Sequence, residues 1–221
     1  MAHEVKNSLT PIRLTMEEIG ARNGSVDAGF LRQASQIVAD EVTTLEKRVK
    51  AFSDFAAEPP ANLRYTDLNA LVEERVAFLR PSHPGVRYDV DLAAGAAATA
   101  DPDLMRGVLT NLLENAAKFS PPGTTITIEV EARDRVLALT VRDEGAGLSA
   151  TDAARIFERF YRGANAATTR GTGLGLTIAR GIVEAHGGTI RLQGSATRPG
   201  TAFVVTLPIP ETAPSGHEEE S

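Results

Sequence analysis

The sequence predicts an α+β chain: a helical hairpin over residues 1–58, followed over residues 59–210 by an α/β sandwich with helices on one face of a mixed sheet. Three observations predict it. Leu31, Val38, Leu45 and Phe52 recur every seven residues, with Val42, Val49 and Ala56 as a second row. That is the heptad seam of a helix that packs on other helices. Pro59-Pro60 ends the helix. After it, segments of helical spacing alternate with segments of period two.

The elements follow in order. A first helix from about Ala2 carries Leu9, Ile12, Met16 and Ile19 on one face. Asn23-Gly24-Ser25 makes a turn, and Asp27 caps the second helix. Two helices cannot bury two apolar seams between themselves. A four-helix bundle made by two chains does so; a hairpin laid on the second domain is the alternative. Asp67 to Arg80 is an amphipathic helix, with Leu68, Leu71, Val72, Val76 and Leu79 on its apolar side, and Arg87 to Leu92 alternates as a strand. Asp101 and Pro102 start a helix that runs to Phe119, where Pro121-Pro122-Gly123 stops it. Thr125 to Glu131 and Val136 to Arg142 form a hairpin of strands. Residues 144–172 lack a sustained period and read as a long loop with one short helix, and such loops are usually functional. Leu174 to His186 is helical and closes at Gly187-Gly188. Thr189 to Gln193 and Ala202 to Leu207 are the last strand pair. Residues 211–221 are acidic, lack large apolar side chains and are expected to be disordered.

Composition removes several classes of function. The chain has 221 residues, enough for two small domains, and no cysteine. Disulfides, zinc ribbons and thiol catalysis are excluded, and a cytoplasmic location is expected. A net charge of −6 argues against nucleic acid as the main partner. No apolar run approaches the roughly 18 residues of a membrane span, and no signal peptide is present. Any membrane contact is expected from a sensor region outside this chain.

Four blocks carry chemistry. Gly171-Thr172-Gly173-Leu174-Gly175-Leu176 lies where a loop becomes a helix, so backbone N–H groups and a helix N-terminus can face phosphates. It has neither the Lys-Ser/Thr of a Walker loop nor the spacing of a dinucleotide fold. Asp143-Glu144-Gly145-Ala146-Gly147 follows a strand. A carboxylate at Asp143 accepts from the exocyclic amine of adenine and repels the carbonyl of guanine. Asn111, Asn115 and Lys118 share one helix face. Two amides and an ammonium suit a hydrated magnesium triphosphate, with the Asn115 oxygen as the Mg²⁺ ligand and Lys118 neutralising phosphate. Phe157, Phe160 and Tyr161 are aromatics in an otherwise polar loop, which marks a lid anchor. Arg159 and Arg162 there can reach a γ-phosphate.

At the other end His3 supplies a neutral imidazole, a competent nucleophile near pH 7. Glu4 can take the proton from its other ring nitrogen. Asn7, one turn on, can orient a water against a phosphoaspartate. His83, His186 and His217 read as loop, helix end and tail.

In this order the blocks resemble the catalytic core of bacterial two-component sensor histidine kinases over nearly all of Ala2 to Pro208. HEVKNSLTPI (3–12) is similar to the H box, NLLENAAKFS (111–120) to the N box, DEGAGL (143–148) to the G1 box, IFERFYR (156–162) to the F box and GTGLGL (171–176) to the G2 box. The resemblance implies a dimerising phosphotransfer hairpin and a Bergerat-type ATP-binding domain, shared with gyrase-, Hsp90- and MutL-like ATPases. It implies His3 as phosphoacceptor, Glu4 as base and Asn7 as phosphatase helper. It further implies Asn115 and Lys118 at Mg²⁺ and phosphate, Asp143 at adenine, Phe119 packed near the base, and a response regulator receiver domain as partner. Two features depart from the pattern. Ser8 stands where the H box usually has Pro, and a proline comes instead at Pro11. The family's first helix also begins well before its histidine, so the chain reads as a fragment of a longer sensor. LTPI (9–12) resembles nitrogen-regulation-type kinases. The rival readings are a non-catalytic nucleotide-binding scaffold, a phosphatase-only member, and an ATPase or serine kinase on the same pocket fold.

Overall fold

The structure, a computed structural model, describes residues 2–21, 27–56, 61–163, 166, 171–193 and 200–209, with the side chains of 2–8, 41 and 44–56 set aside. The expected turn at residues 23–25, the Pro59-Pro60 break and the tail at 211–221 lie outside the described residues, as do the side chains of Leu45, Val49, Phe52 and Ala56. Two compact units are present, Met1–Glu58 and Pro59–Ser221.

In the first unit α1 (Ala2–Ala21) and α2 (Ala28–Ala56) pack as a hairpin. Helix α1 runs on through Pro11. Asp27 caps α2, its Oδ1 accepting the Phe30 N–H at 2.8 Å. Among the described residues of this unit only Ala34 is buried. Leu9, Leu14, Met16, Leu31, Ile37 and Val42 are each at least 40% exposed.

The second unit is a five-stranded sheet covered by helices. Its strands are β2 (Arg87–Leu92), β4 (Thr125–Arg133), β5 (Val136–Arg142), β6 (Thr189–Gln193) and β7 (Ala202–Pro208), in the order β2-β4-β5-β7-β6. β2 and β4 are parallel and the other pairs antiparallel. A parallel pair needs a crossover, and α4 (Pro102–Phe119) lies on it. Asp101 starts α4 by accepting the N–H groups of Asp103 and Leu104 on Oδ1, with Pro102 in the first turn. α4 packs against both α3 (Leu68–Leu79) and α6 (Gly175–Ala185). Met105, Val108, Leu109, Leu112 and Leu113 of α4 are fully buried with Ile126, Ile128, Leu139 and Val205 of the sheet. One helical face is thereby committed to the core, which leaves Asn111, Asn115 and Lys118 on another.

Two features were not legible in the sequence. β1 (Arg64–Asp67) and β3 (Ala97–Ala100) form a separate two-stranded antiparallel sheet. The run Ala96-Ala97-Ala98 carries no alternation, yet it is buried. Second, His186 stands at the helix end as expected, as the C-cap of α6, but is only 4% exposed. Its Nε2 accepts the Asp101 N–H at 2.9 Å, which leaves Nδ1 to donate to the Ile182 carbonyl at 2.6 Å. Asp101 Oδ2 in turn accepts the Asn62 N–H at 2.9 Å. The end of α6, the start of α4 and the first described chain after the hairpin thus meet at one joint. No helix among the described residues is long and apolar enough to cross a membrane.

Candidate functional site

A cavity of about 520 Å³ opens in the second unit between α4, residues of the stretches 143–163 and 171–173, and the start of α6. It gathers most of the residues singled out in the sequence. Asn111, Asn115, Lys118, Phe119, Asp143, Gly147, Arg162, Gly171, Thr172, Gly173, Gly175 and Leu176 all line it. Gly145 and Leu174 do not line it and support it from behind. A Cβ on Gly145 would lie 2.5 Å from the Phe119 carbonyl oxygen, so only glycine lets the loop pass the end of α4. Leu174 is buried at the N-terminus of α6. The side chains of His3, Glu4 and Asn7 lie outside the described residues; the backbone there is part of α1.

Asp143 follows β5 and is 5% exposed. Its Oδ1 accepts two backbone N–H groups, from Gly145 at 2.8 Å and Thr201 at 3.0 Å. Burial pushes its carboxyl above the ordinary aspartate value, against the pull of those hydrogen bonds. The sequence does not flag Thr201, because its contact is made across the β5–β7 pairing, 58 residues away in the chain.

The side of the cavity that holds Lys118 and Arg162 is basic. Burial, then the nearby Arg162 guanidinium, hold the Lys118 ammonium below its usual range, while Glu114 acts the other way. Lys118 also lies 5.2 Å from the Phe119 ring centre. Among the described residues the side chain of Leu174, the N-cap of α6, makes no capping hydrogen bond, and Gly175 and Leu176 of the first turn line the cavity. A Cβ on Gly175 would lie 2.8 Å from Asn111 Oδ1. A side chain at 175 would therefore displace the Asn111 amide from where α6 meets α4.

The loop over the cavity is anchored. The Phe157 ring meets Phe203 edge-on at 6.1 Å and packs on the core, and its carbonyl accepts from Thr177 Oγ1 at 3.1 Å. Phe160 takes a positive φ of 63°, uncommon for a bulky residue. Its N–H donates to the Gly173 carbonyl at 2.9 Å. Gly173 has a φ of 71°, and a Cβ there would lie 2.6 Å from the Phe160 backbone. The short helix expected in this loop is α5 (Ala150–Arg155), capped by Ser149.

The donor set fits a magnesium nucleotide. Neutral amide oxygens, an ammonium, a guanidinium and an uncapped helix N-terminus match a polyanion that brings its own cation. Among the described residues no three His, Cys, Asp or Glu side chains gather as a resident metal site.

Residues 100–211 match the histidine kinase-, DNA gyrase B-, and HSP90-like ATPase family. The chain is 30% identical over 97% of its length to the signal transduction histidine-protein kinase/phosphatase MprB of Mycobacterium avium, and covers 43% of that protein. It is 31% identical over 94% of its length to the nitrogen regulation protein NtrY of Azorhizobium caulinodans, covering 28% of it. The fold matches the histidine kinase ThkA, solved in complex with the response regulator protein TrrA, with a TM-score of 0.74, 22% identity, and coverage of 94% of this chain and 60% of that one. The chain thus spans less than half the length of these two sequence relatives.

Proposed function

The chain belongs to the histidine kinase-, DNA gyrase B- and HSP90-like ATPase family, in its sensor histidine kinase branch, and we propose that it transfers the γ-phosphoryl group of ATP to His3 and from there to an aspartate of a response regulator receiver domain. One observation carries the ATP reading. A buried carboxylate, Asp143, fixed on one oxygen by two backbone donors, shares a cavity with an uncapped helix N-terminus and two cations. That combination matches an adenine at one end and phosphates at the other.

In this reading Asp143 accepts from the adenine amine, and Phe119 packs beside the base. Asn115, with Asn111 next to it, holds Mg²⁺, which when bound supplies charge neutralisation over the phosphates. Lys118, Arg162 and the Gly171–Leu176 backbone orient the phosphate chain. A neutral ring nitrogen of His3 attacks the γ-phosphorus, the bond to the ADP oxygen breaks, and Glu4 takes the proton from the other nitrogen. Positioning and charge neutralisation do most of the work in such transfers. Asn7 aims a water at the phosphorylated regulator, giving a phosphatase activity. The exposed Leu9, Met16, Leu31 and Val42 suit a hairpin that pairs with a second copy.

The test is incubation with γ-labelled ATP. An acid-labile, base-stable phosphoryl group is expected on the chain, absent from His3→Ala, while that variant binds ATP as before. An acid-stable product, or loss of nucleotide affinity in His3→Ala, overturns the assignment.

A further inference from the structure

One buried carboxylate in the cavity wall has no role in the reading above. Asp152, in the first turn of α5, is 7% exposed and lines the cavity. Burying a charge is costly unless it is hydrogen-bonded, and two hydroxyls do this. Ser149 Oγ donates to Oδ2 at 2.8 Å, and the Tyr161 hydroxyl donates to Oδ1 at 2.7 Å. Ser149 is itself fixed, since its Oγ also accepts the Asp152 N–H at 3.0 Å. The Tyr161 ring lies under the Arg155 guanidinium, 4.2 Å from its centre, and Arg155 pairs with Glu158 at 2.9 Å. Gly163 passes so close that a Cβ would lie 3.0 Å from the Asp152 carboxyl. The loop from Ser149 to Gly163 therefore closes around a single carboxylate. Arg162 sits between the two residues held against it, lines the cavity, and is near enough to depress the Lys118 ammonium.

We infer that Asp152 and Tyr161 form a latch that holds Arg162 at the terminal phosphate of the bound nucleotide, with Asp152 as a positioning residue. The inference rests on the ATP reading of the cavity. It separates the two ends of the ligand: Asp143 and Phe119 serve the base whatever the latch does, and only the last phosphate depends on Arg162. Charge-assisted hydrogen bonds are strong when well placed, and a small displacement forfeits much of that strength. The hydrogen bond to Asp152 also holds the Tyr161 phenol above its ordinary range, so the bond can be read without any ligand.

The experiment measures ATP and ADP affinity by calorimetry on the whole chain and on Tyr161→Phe, Asp152→Asn, Asp152→Ala and the Tyr161→Phe/Asp152→Ala pair. Tyr161→Phe is expected to weaken ATP roughly tenfold, the scale of one forfeited charge-assisted bond, with ADP within about twofold. Asp152→Ala is expected to do the same and the pair no worse than either, because both act through one contact. Asp152→Asn keeps a carbonyl acceptor for Tyr161 and is expected to lie nearer the parent. Equal weakening of ATP and ADP, no weakening of either, or multiplicative losses in the pair overturn the latch. In parallel, an ultraviolet titration of the three tyrosines in nucleotide-free protein should show one ionising at lower pH in Asp152→Ala. An unchanged titration also overturns it. Failure of the parent chain to bind any nucleotide sinks the ATP reading and Arg162's role with it, whereas the titration then still reports the Asp152–Tyr161 bond alone.

Discussion

Asp143 shows how one residue is set for recognition by the backbone around it. With Oδ1 occupied by the N–H groups of Gly145 and Thr201, the proposed selection of adenine falls to the other oxygen. In Asp143→Asn the amide oxygen keeps both backbone donors, which turns the NH₂ toward the cavity, where it faces another donor on adenine. ATP binding is expected to weaken by roughly 1–3 kcal/mol, the scale for a lost hydrogen bond to a buried charge; unchanged affinity by calorimetry would reduce Asp143 to a turn residue. Burial holds this carboxyl above the ordinary aspartate value, so affinity is present above the raised pKa and lost as pH falls through it. Stability runs the other way. A raised carboxyl pKa means that the folded chain binds the proton more tightly than the unfolded one. The group therefore costs stability above its folded pKa and the cost is relieved on acidification. Asp143 was legible in the sequence because turn aspartates before glycine after a strand form a short local pattern. Thr201 and Asp152 were not. The first acts across a strand pairing, and the second is buried by contacts with Tyr161 and Gly163 that no spacing rule marks.

Elements with a strong period and a chemical stop were legible almost to the residue. α4 has Asp101-Pro102 at its start and a seven-residue-wide apolar face. β4 and β5 alternate, and α6 ends at glycines. β1 and β3 were not legible: β1 is four residues with one buried position, and the alanines of β3 have no period to read. The joint at His186 belongs to the same class, because its partner Asp101 lies 85 residues earlier. Replacing His186 with Leu removes the acceptor for the Asp101 N–H and leaves that part-buried donor without its bond. A loss of about 1–3 kcal/mol is expected, the cost of one such orphan. It should appear as a lower urea midpoint at unchanged m-value; an unaltered midpoint would show that the imidazole only fills space.

At the scale of the molecule the division at Glu58 and Pro59 separates two compact units. The cavity is built wholly from residues 111–203, and the core of that unit is continuous from Leu68 to Leu207. Residues 60–221 alone are expected to fold, sediment as a monomer and bind ATP with the affinity of the whole chain, while the whole chain sediments as a dimer. A dimer of the shorter chain, or a tenfold loss of affinity in it, would contradict this. Within that unit α4 and α6 are tied where His186 meets Asp101, and the cavity lies at their opposite ends. The two helices also pack on each other between these ends, so the joint sets the angle at which the N-terminus of α6, the jaw, meets α4. α6 has 11 residues, an arm of roughly 16 Å at 1.5 Å per residue. A tilt of about 4° at the joint therefore moves the jaw by roughly 1 Å, a displacement large against the tolerance of a hydrogen bond. In the proposed reading, the spacing where the phosphates would lie is thus set in part by a histidine that does not line the cavity. The His186→Leu chain should accordingly hold ATP less tightly even at temperatures where it is fully folded.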